Sequence, residues 1–160
     1  MLKLDKIDLK ILAALQRDGR ITKLNLATEA GLSAAACWER LRRLEKAGAI
    51  ARYGAVIDAA RLGRFATVLV EITLKSHRQA DFQRFEATVM REPAIVACDA
   101  VGGGIDYLLR VVTTDIDSYQ RLIDGLLEAE IGIDRYFTYI VTKTIKQTGF
   151  PLEIIEGTIS

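Results

Sequence analysis

The sequence predicts an α+β chain in which three short helices precede a β-α-β-β-α-β unit, and three observations carry that expectation. Apolar residues recur at helical spacing up to Gly48; from Phe65 to Lys75 they alternate in twos; beyond that the two periods switch in the order helix, strand, strand, helix, strand. With 160 residues, half of them apolar, the chain can bury a core as one domain or as two small ones. The change of period near residue 60 favours two. The expected divisions are residues 1–60, a linker at 61–64, a second domain at 65–150 and a C-terminal tail at 151–160.

Leu4-Asp5-Lys6-Ile7-Asp8 opens the first helix: Asp5 can cap it, Asp8 falls in the first turn, and Ile7, Ile11, Leu12 and Leu15 follow at helical spacing until Gly19 stops it. A second helix starts at Thr22 as cap and carries Leu24, Leu26, Ala27 and Ala30. Gly31 then supplies the positive φ of a tight interhelical turn. Ser33 caps a third helix that runs to Gly48. On a wheel of about 100° per residue, Cys37, Leu41 and Leu44 lie within roughly 60° of one another and define its buried stripe.

The opposite side of that helix holds Ala35, Ala36, Glu39, Arg42, Arg43 and Lys46. Small residues near the helix start allow close approach to base edges, and arginine offers forked donors to guanine or phosphate. A solvated helix of mixed charge would look similar. Three short helices around a glycine turn point instead to a helix-turn-helix reader of double-stranded DNA. Arg40, at the border of the two faces, reaches either a phosphate or a neighbouring carboxylate. Ala49 to Asp58 reads as a strand or wing, with Arg52 placed for the DNA backbone or as the charged protector of an edge strand. The candidate DNA-contacting set is therefore Thr22, Ser33, Ala35, Ala36, Glu39, Arg40, Arg42, Arg43, Lys46 and Arg52.

In the rear half, Ala66, Val68, Val70, Ile72 and Leu74 point one way along a strand, while Thr67, Leu69, Glu71 and Thr73 point the other. A helix over Gln79–Arg91 carries Phe82, Phe85 and Val89 and ends at Pro93. Strands follow at Ile95–Val101 and Asp106–Thr113 around Gly102-Gly103-Gly104, then a helix at Asp115–Leu127 and a long strand at Ile133–Ile145. This order is the ferredoxin-like split arrangement, with both helices on one face of an antiparallel sheet. The other face is partly apolar and needs a cover. A two-fold homodimer packed sheet to sheet supplies it and spaces two readers for symmetric half-sites.

Charge follows the same division. Residues 1–60 hold 11 Lys and Arg against 7 Asp and Glu, a net of +4, while residues 61–160 hold 11 against 14, a net of −3. The two cysteines, Cys37 and Cys98, and the single His77 have neither metal-site nor disulfide spacing, so no metal or cofactor is called for. His77 reads as a solvated loop residue, Cys37 as a small core residue, and Trp38 as a packing residue beside the buried stripe. An enzyme would need a nucleophile or an acid–base pair, and no such constellation is legible. Met1-Leu2-Lys3-Leu4-Asp5 leads into a charged amphipathic segment unlike a secretory leader, and no apolar run approaches membrane-spanning length; the expected compartment is a reducing cytoplasm.

Four stretches together carry a resemblance: Leu4-Asp5-x-Ile7-Asp8, then Gly31-Leu32-Ser33 ahead of Cys37, then Glu39-Arg40-Leu41-Arg42-Arg43-Leu44-Glu45, and Asp106-Tyr107-Leu108-Leu109-Arg110. The chain resembles the Lrp/AsnC feast-or-famine transcriptional regulators up to about residue 150. The resemblance implies a winged helix-turn-helix joined to a ferredoxin-like effector domain of the RAM type, in dimers that often build octamers or open arrays. It also implies an amino-acid-like effector near the loop before the Asp106 strand, here Val101, Gly102, Gly103, Gly104, Asp106 and Tyr107.

Two departures stand out. The family commonly carries Thr-Pro just before the cysteine of the recognition helix, where this chain has Ala35-Ala36; a hydroxyl donor and a rigid proline are missing, so base readout there rests on van der Waals contact or differs. The family's effector loop often reads Gly-Asp-x-Asp-Tyr, where this chain has Gly103-Gly104-Ile105-Asp106-Tyr107, leaving Asp106 as the sole acid of the motif. Exposed N–H groups of a glycine turn favour a carboxylate and Asp106 an ammonium. The expected effector is a zwitterion or N-substituted amino acid, and the resemblance extends to members associated with amino-acid or compatible-solute catabolism, including ectoine breakdown. The glycines read equally as a plain hairpin turn. The rival to an effector-responsive regulator is an architectural DNA-binding protein without effector.

Overall fold

Two aspartates a turn apart start the first helix. Asp5 accepts hydrogen bonds from the backbone N–H groups of Ile7 (2.9 Å) and Asp8 (2.8 Å), and the Asp8 carboxylate accepts one from the Asp5 N–H at 3.1 Å. This reciprocal box satisfies donors that a helix start leaves orphaned. The structure is a computed structural model and describes residues 2–156. Met1 and residues 157–160 of the expected tail lie outside the described residues.

The front unit holds α1 (Lys6–Arg17), α2 (Lys23–Ala30) and α3 (Ala34–Lys46). Thr22 caps α2 by accepting from the Asn25 N–H, and Ser33 caps α3 by accepting from the Ala36 N–H. Gly31, at φ 71° and ψ 36°, makes the left-handed turn between α2 and α3. The three helices close on Ile11, Ala14, Leu26, Ala27, Ala30, Cys37, Leu41 and Leu44. Asp8 is 1% exposed, and its two oxygens accept from Arg40 Nη1 at 2.9 Å and Arg43 Nη2 at 2.6 Å. Arg40 also meets Asp5 at 2.6 Å.

Of the strand or wing expected at 49–58, the strand does not form. Every strand of the described residues belongs to the rear sheet, so this segment has no ladder to join, and it runs extended with Val56 and Ile57 exposed. It is held to the helices by the Ala49 N–H donating to the Leu44 carbonyl at 3.0 Å, by Ile50 packed on the front core, and by the Tyr53 hydroxyl donating to Glu45 Oε1 at 2.8 Å. A short 3-10 turn at Ala59–Arg61, capped by Asp58, follows.

The rear unit contains β1 (Ala66–Leu74), α4 (Gln79–Val89), β2 (Ile95–Ala100), β3 (Tyr107–Thr113), α5 (Ile116–Glu128) and β4 (Ile133–Ile140). The sheet order is β2-β3-β1-β4 and every pairing is antiparallel. Val68, Val70, Ile72 and Leu74 face Phe85 and Val89 of α4 and Tyr119, Ile123 and Leu126 of α5 in one core. Each such large apolar side chain contributes about 1.5–3 kcal/mol on burial. On the opposite face, Leu69 pairs with Tyr139 and Glu71 with Phe137, and both aromatics are about half exposed. The last strand stops at Ile140, short of the expected Ile145. Its partner β1 runs out there: Ile140 pairs with Val68, and the Val141 N–H makes a final bond to the Thr67 carbonyl.

By contacts, Asp58–Ile145 form one compact unit, and the described residues from Lys146 onward group with those up to Ile57. Residues 146–150 thus cluster with the helices, where the Gln16 side-chain amide donates to the Phe150 carbonyl at 3.0 Å. A four-residue helix, α6 (Glu153–Glu156), ends the described chain.

Replacing Asp8 by Ala removes half of the capping box, leaves Arg43 without its carboxylate and Arg40 with Asp5 alone, and is expected to lower the stability of the front unit by about 2–4 kcal/mol in urea unfolding. The same measurement carries a pH signature. Chiefly the Asp8 backbone N–H, and then the Arg40 side chain, hold the Asp5 carboxyl below its ordinary value of 3.8. Its contribution is therefore complete above that value and is lost as pH falls through the lower folded one. Asp5→Asn removes that part of the acid dependence.

Candidate functional site

The outward face of α3 presents Ala35, Glu39, Arg42, Arg43 and Lys46 to solvent, with Ala36 half-buried. An open depression of about 800 Å³ is lined by Trp38, Glu39, Arg42, Arg43, Glu45, Lys46 and Ala47. The cations there are of two kinds. Arg43 is engaged by Asp8, and Arg40 by Asp8 and Asp5. Arg42, Lys46 and Arg52 make no ion pair among the described residues.

Of the two expectations for Arg40, the carboxylate is realised. Hydrogen bonds from the Arg40 guanidinium to Asp5 and Asp8 raise its pKa further above the ordinary arginine value. Arg43, a further candidate for DNA contact, commits part of its fork to Asp8 of α1 and stays partly exposed. Thr22 and Ser33 use their oxygens as helix caps, which leaves each hydroxyl proton free to donate. Trp38 is not the packing residue expected. About 100° round the helix from Cys37, its indole lies off the buried stripe, 38% exposed, with the Lys23 ammonium 3.5 Å from the ring centroid. Arg52 is exposed on the unpaired segment after α3.

In the rear unit, a cavity of about 400 Å³ is lined by Gln79, Phe82, Gln83 and Glu86 of α4 together with Ala100, Val101, Asp106 and Tyr107. Three of the six sequence candidates, Val101, Asp106 and Tyr107, are in its wall. Gly102, Gly103 and Gly104 are not: they form the exposed tip of the β2–β3 hairpin, closed by the Val101 N–H donating to the Asp106 carbonyl at 3.0 Å. Gly103, at φ 141°, makes the turn there.

Asp106 is a tethered carboxylate. Its Oδ2 accepts from the Leu74 N–H at 2.8 Å, its Oδ1 lies 3.0 Å from His77 Nε2, and its own N–H donates to the Ile72 carbonyl at 2.9 Å. Asp106 is the sole acid of its motif, and a second acid from outside it, Glu86, enters the same cavity from α4. The buried Tyr107 hydroxyl donates to Glu86 Oε1 at 2.8 Å, and burial, with Glu86 second, pushes that phenol well above its ordinary value, so it stays a donor. His77 is mostly exposed, as expected of a loop residue, yet it is paired: its ring stacks on Phe82 with centroids 5.9 Å apart.

A signal for the α4 wall was present in the sequence. Gln79, Phe82, Gln83 and Glu86 recur at i, i+3, i+4 and i+7, a polar and aromatic stripe on the flank of a helix whose apolar stripe carries Phe85 and Val89. The pairing of Asp106 with Leu74 and His77 spans about thirty residues and leaves no local trace.

A helix-turn-helix joined to a sheet unit with its own small-molecule cavity defines a ligand-binding transcriptional regulator. The family model for a winged helix-turn-helix DNA-binding domain matches residues 4–51, and that for the Lrp/AsnC ligand binding domain matches residues 67–150. The chain belongs to the Lrp/AsnC family and is a transcriptional regulator of that type. It is 54% identical to the transcriptional regulatory protein DoeX of Halomonas elongata, over 96% of this chain and 97% of that one. Among solved structures it matches an AsnC family transcriptional regulator from Agrobacterium tumefaciens at 34% identity and TM-score 0.89, covering 95% of this chain and 99% of that one. A transcriptional regulator from Neisseria meningitidis, solved in complex with L-Met, matches at 30% identity and TM-score 0.89, over 96% and 99% of the two chains. No helix of the described residues is long and apolar enough to cross a membrane.

Asp106→Ala leaves the buried Leu74 N–H without its acceptor. The variant is expected to lose about 1–3 kcal/mol of stability, read as a lowered midpoint in denaturant unfolding.

Proposed function

We propose that this chain reads double-stranded DNA with α3 and changes its affinity or assembly when an amino-acid-like effector enters the cavity between α4 and the β2–β3 hairpin. One observation carries the DNA reading: on the outer face of α3, Arg42 and Lys46 have no ion-pair partner among the described residues, while Arg40 and Arg43 are held by aspartates. Charges bound by carboxylates offer less to phosphate, so the exposed pair supplies the phosphate attraction, with Arg52 beyond the helix end. Thr22 and Ser33 donate at the helix starts. Ala35 and Ala36 permit close approach, Glu39 faces the bases, and part of the Arg43 fork remains accessible.

The effector is an amino acid or a relative of one. Glu86 and Asp106 offer negative charge to an ammonium, Gln79 and Gln83 offer amide donors to a carboxylate, and Phe82 and Val101 give apolar contact. The complex of the Neisseria regulator with L-Met supports an amino acid as the effector. An intermediate of amino-acid or compatible-solute catabolism, such as one from ectoine breakdown, has this chemistry. The chain works as a homodimer, or a higher assembly such as an octamer, through the sheet face bearing Leu69, Phe137 and Tyr139. It acts in the cytoplasm and catalyses no reaction.

Two measurements test this. Arg42→Ala is expected to weaken binding to duplex DNA and to lower the slope of log affinity against log salt by about one unit; an unchanged slope removes α3 as the phosphate-contacting face. Calorimetry with a panel of amino acids and N-acylated relatives should find a binder whose affinity falls at least several-fold in Glu86→Gln. A panel with no binder, and no change in DNA affinity or oligomer size, would favour the architectural reading.

A further inference from the structure

Packing does not account for the exposure of Trp38. Tryptophan is highly buried on average, and one left at a surface is characteristic of a contact made with a partner. Here the indole lines the same depression as Arg42 and Lys46. Its ring face is occupied by the ammonium of Lys23, the first residue of α2, at 3.5 Å from the centroid. Lys23 has no carboxylate partner among the described residues. The ring thus carries a cation from a neighbouring helix to the border of the α3 groove.

We propose that Trp38 is a positioning residue for double-stranded DNA: it holds the Lys23 ammonium for a backbone phosphate and lays its own exposed edge against the adjoining deoxyribose. The proposal rests on the DNA-binding reading above and adds contacts from α2 and from the flank of α3. A lysine stem is ordinarily free to sample many rotamers. Stacked on the indole before DNA arrives, it loses less freedom on binding, which is how a single aromatic ring strengthens a phosphate contact. The contact carries no base information. It fixes register, so the base-facing residues of α3 meet the same positions each time.

Trp38 is the only tryptophan of the chain, so its emission reports on this site alone. Titrating the full chain with a short duplex of mixed sequence at low salt should change that emission saturably, in step with the anisotropy of a labelled duplex. Lys23→Gln should reduce the salt slope by about one unit. Trp38→Leu should reduce it by a similar amount, the double variant no further than either alone, and Trp38→Phe, which keeps an aromatic face, should retain most of it. If emission stays unchanged at saturation, or Lys23→Gln keeps the full slope, while Arg42→Ala still weakens binding, this proposal is overturned and the DNA-binding reading stands. If the unaltered chain does not bind the duplex, both fall. Should Trp38→Leu lose its helical circular dichroism, the unaltered chain's emission and Lys23→Gln decide between these outcomes.

Discussion

The buried carboxylate of Asp8 is the interaction on which the front unit depends. It closes the cap of α1 through the Asp5 N–H and receives two guanidinium groups from α3. A charge so far from water is tolerable only when its oxygens are satisfied, and here every lone-pair direction in use meets a donor. Local helix initiation and the placement of the reading helix are thereby one event. The core of Ile11, Leu26, Leu41 and Leu44 supplies most of the attraction between helices. Apolar contact is non-directional, however, and the two arginine bonds fix how α3 is rotated against α1.

That rotation sorts the cations of α3. Cations four and six positions on from Ala36, Arg40 and Arg42, do different things because the helix turns them to different neighbours. Arg40 and Arg43 look towards α1 and are neutralised; Arg42 and Lys46 look outward and keep their charge. In the rear unit a second tethered carboxylate plays a related part. Asp106 bonds to the end of β1 and to His77 before α4, so the base of the hairpin, the strand end and the helix start are joined beside the cavity. Both sites are thus built on aspartates used for alignment as well as for charge.

Much of this was legible in the sequence because it is local. Caps at Asp5, Thr22 and Ser33, the turn at Gly31 and the alternation of β1 are written within a few residues of where they act, and each matches the structure. What was not legible is decided by a distant partner. Ala49 to Asp58 has the composition of a strand but no neighbour to bond. β4 ends where β1 does, although β-branched residues continue to Ile145 on either side of Lys143. Arg43 is indistinguishable from Arg42 until Asp8 is known to lie beneath it, and Glu86 is one acid among many until α4 packs beside the hairpin. For Trp38 angular position outweighs hydrophobicity: about 100° from Cys37, it is off the stripe and lies against Lys23.

β1 is the central strand on which both faces of the rear sheet depend. Its even-numbered residues from Val68 to Leu74 fill the core, its odd-numbered ones face outward beside Phe137 and Tyr139, and it is bonded on both edges. Inserting one residue into it would exchange those faces, driving Glu71 inward and valines outward. Descendants of this sequence can therefore drift in length at 49–58, at Gly102–Gly104 and after Val141, where no ladder constrains them. Within β1 they can change side chains but not the count, so the strand acts as the fixed ruler against which the rest of the gene can lengthen or shorten.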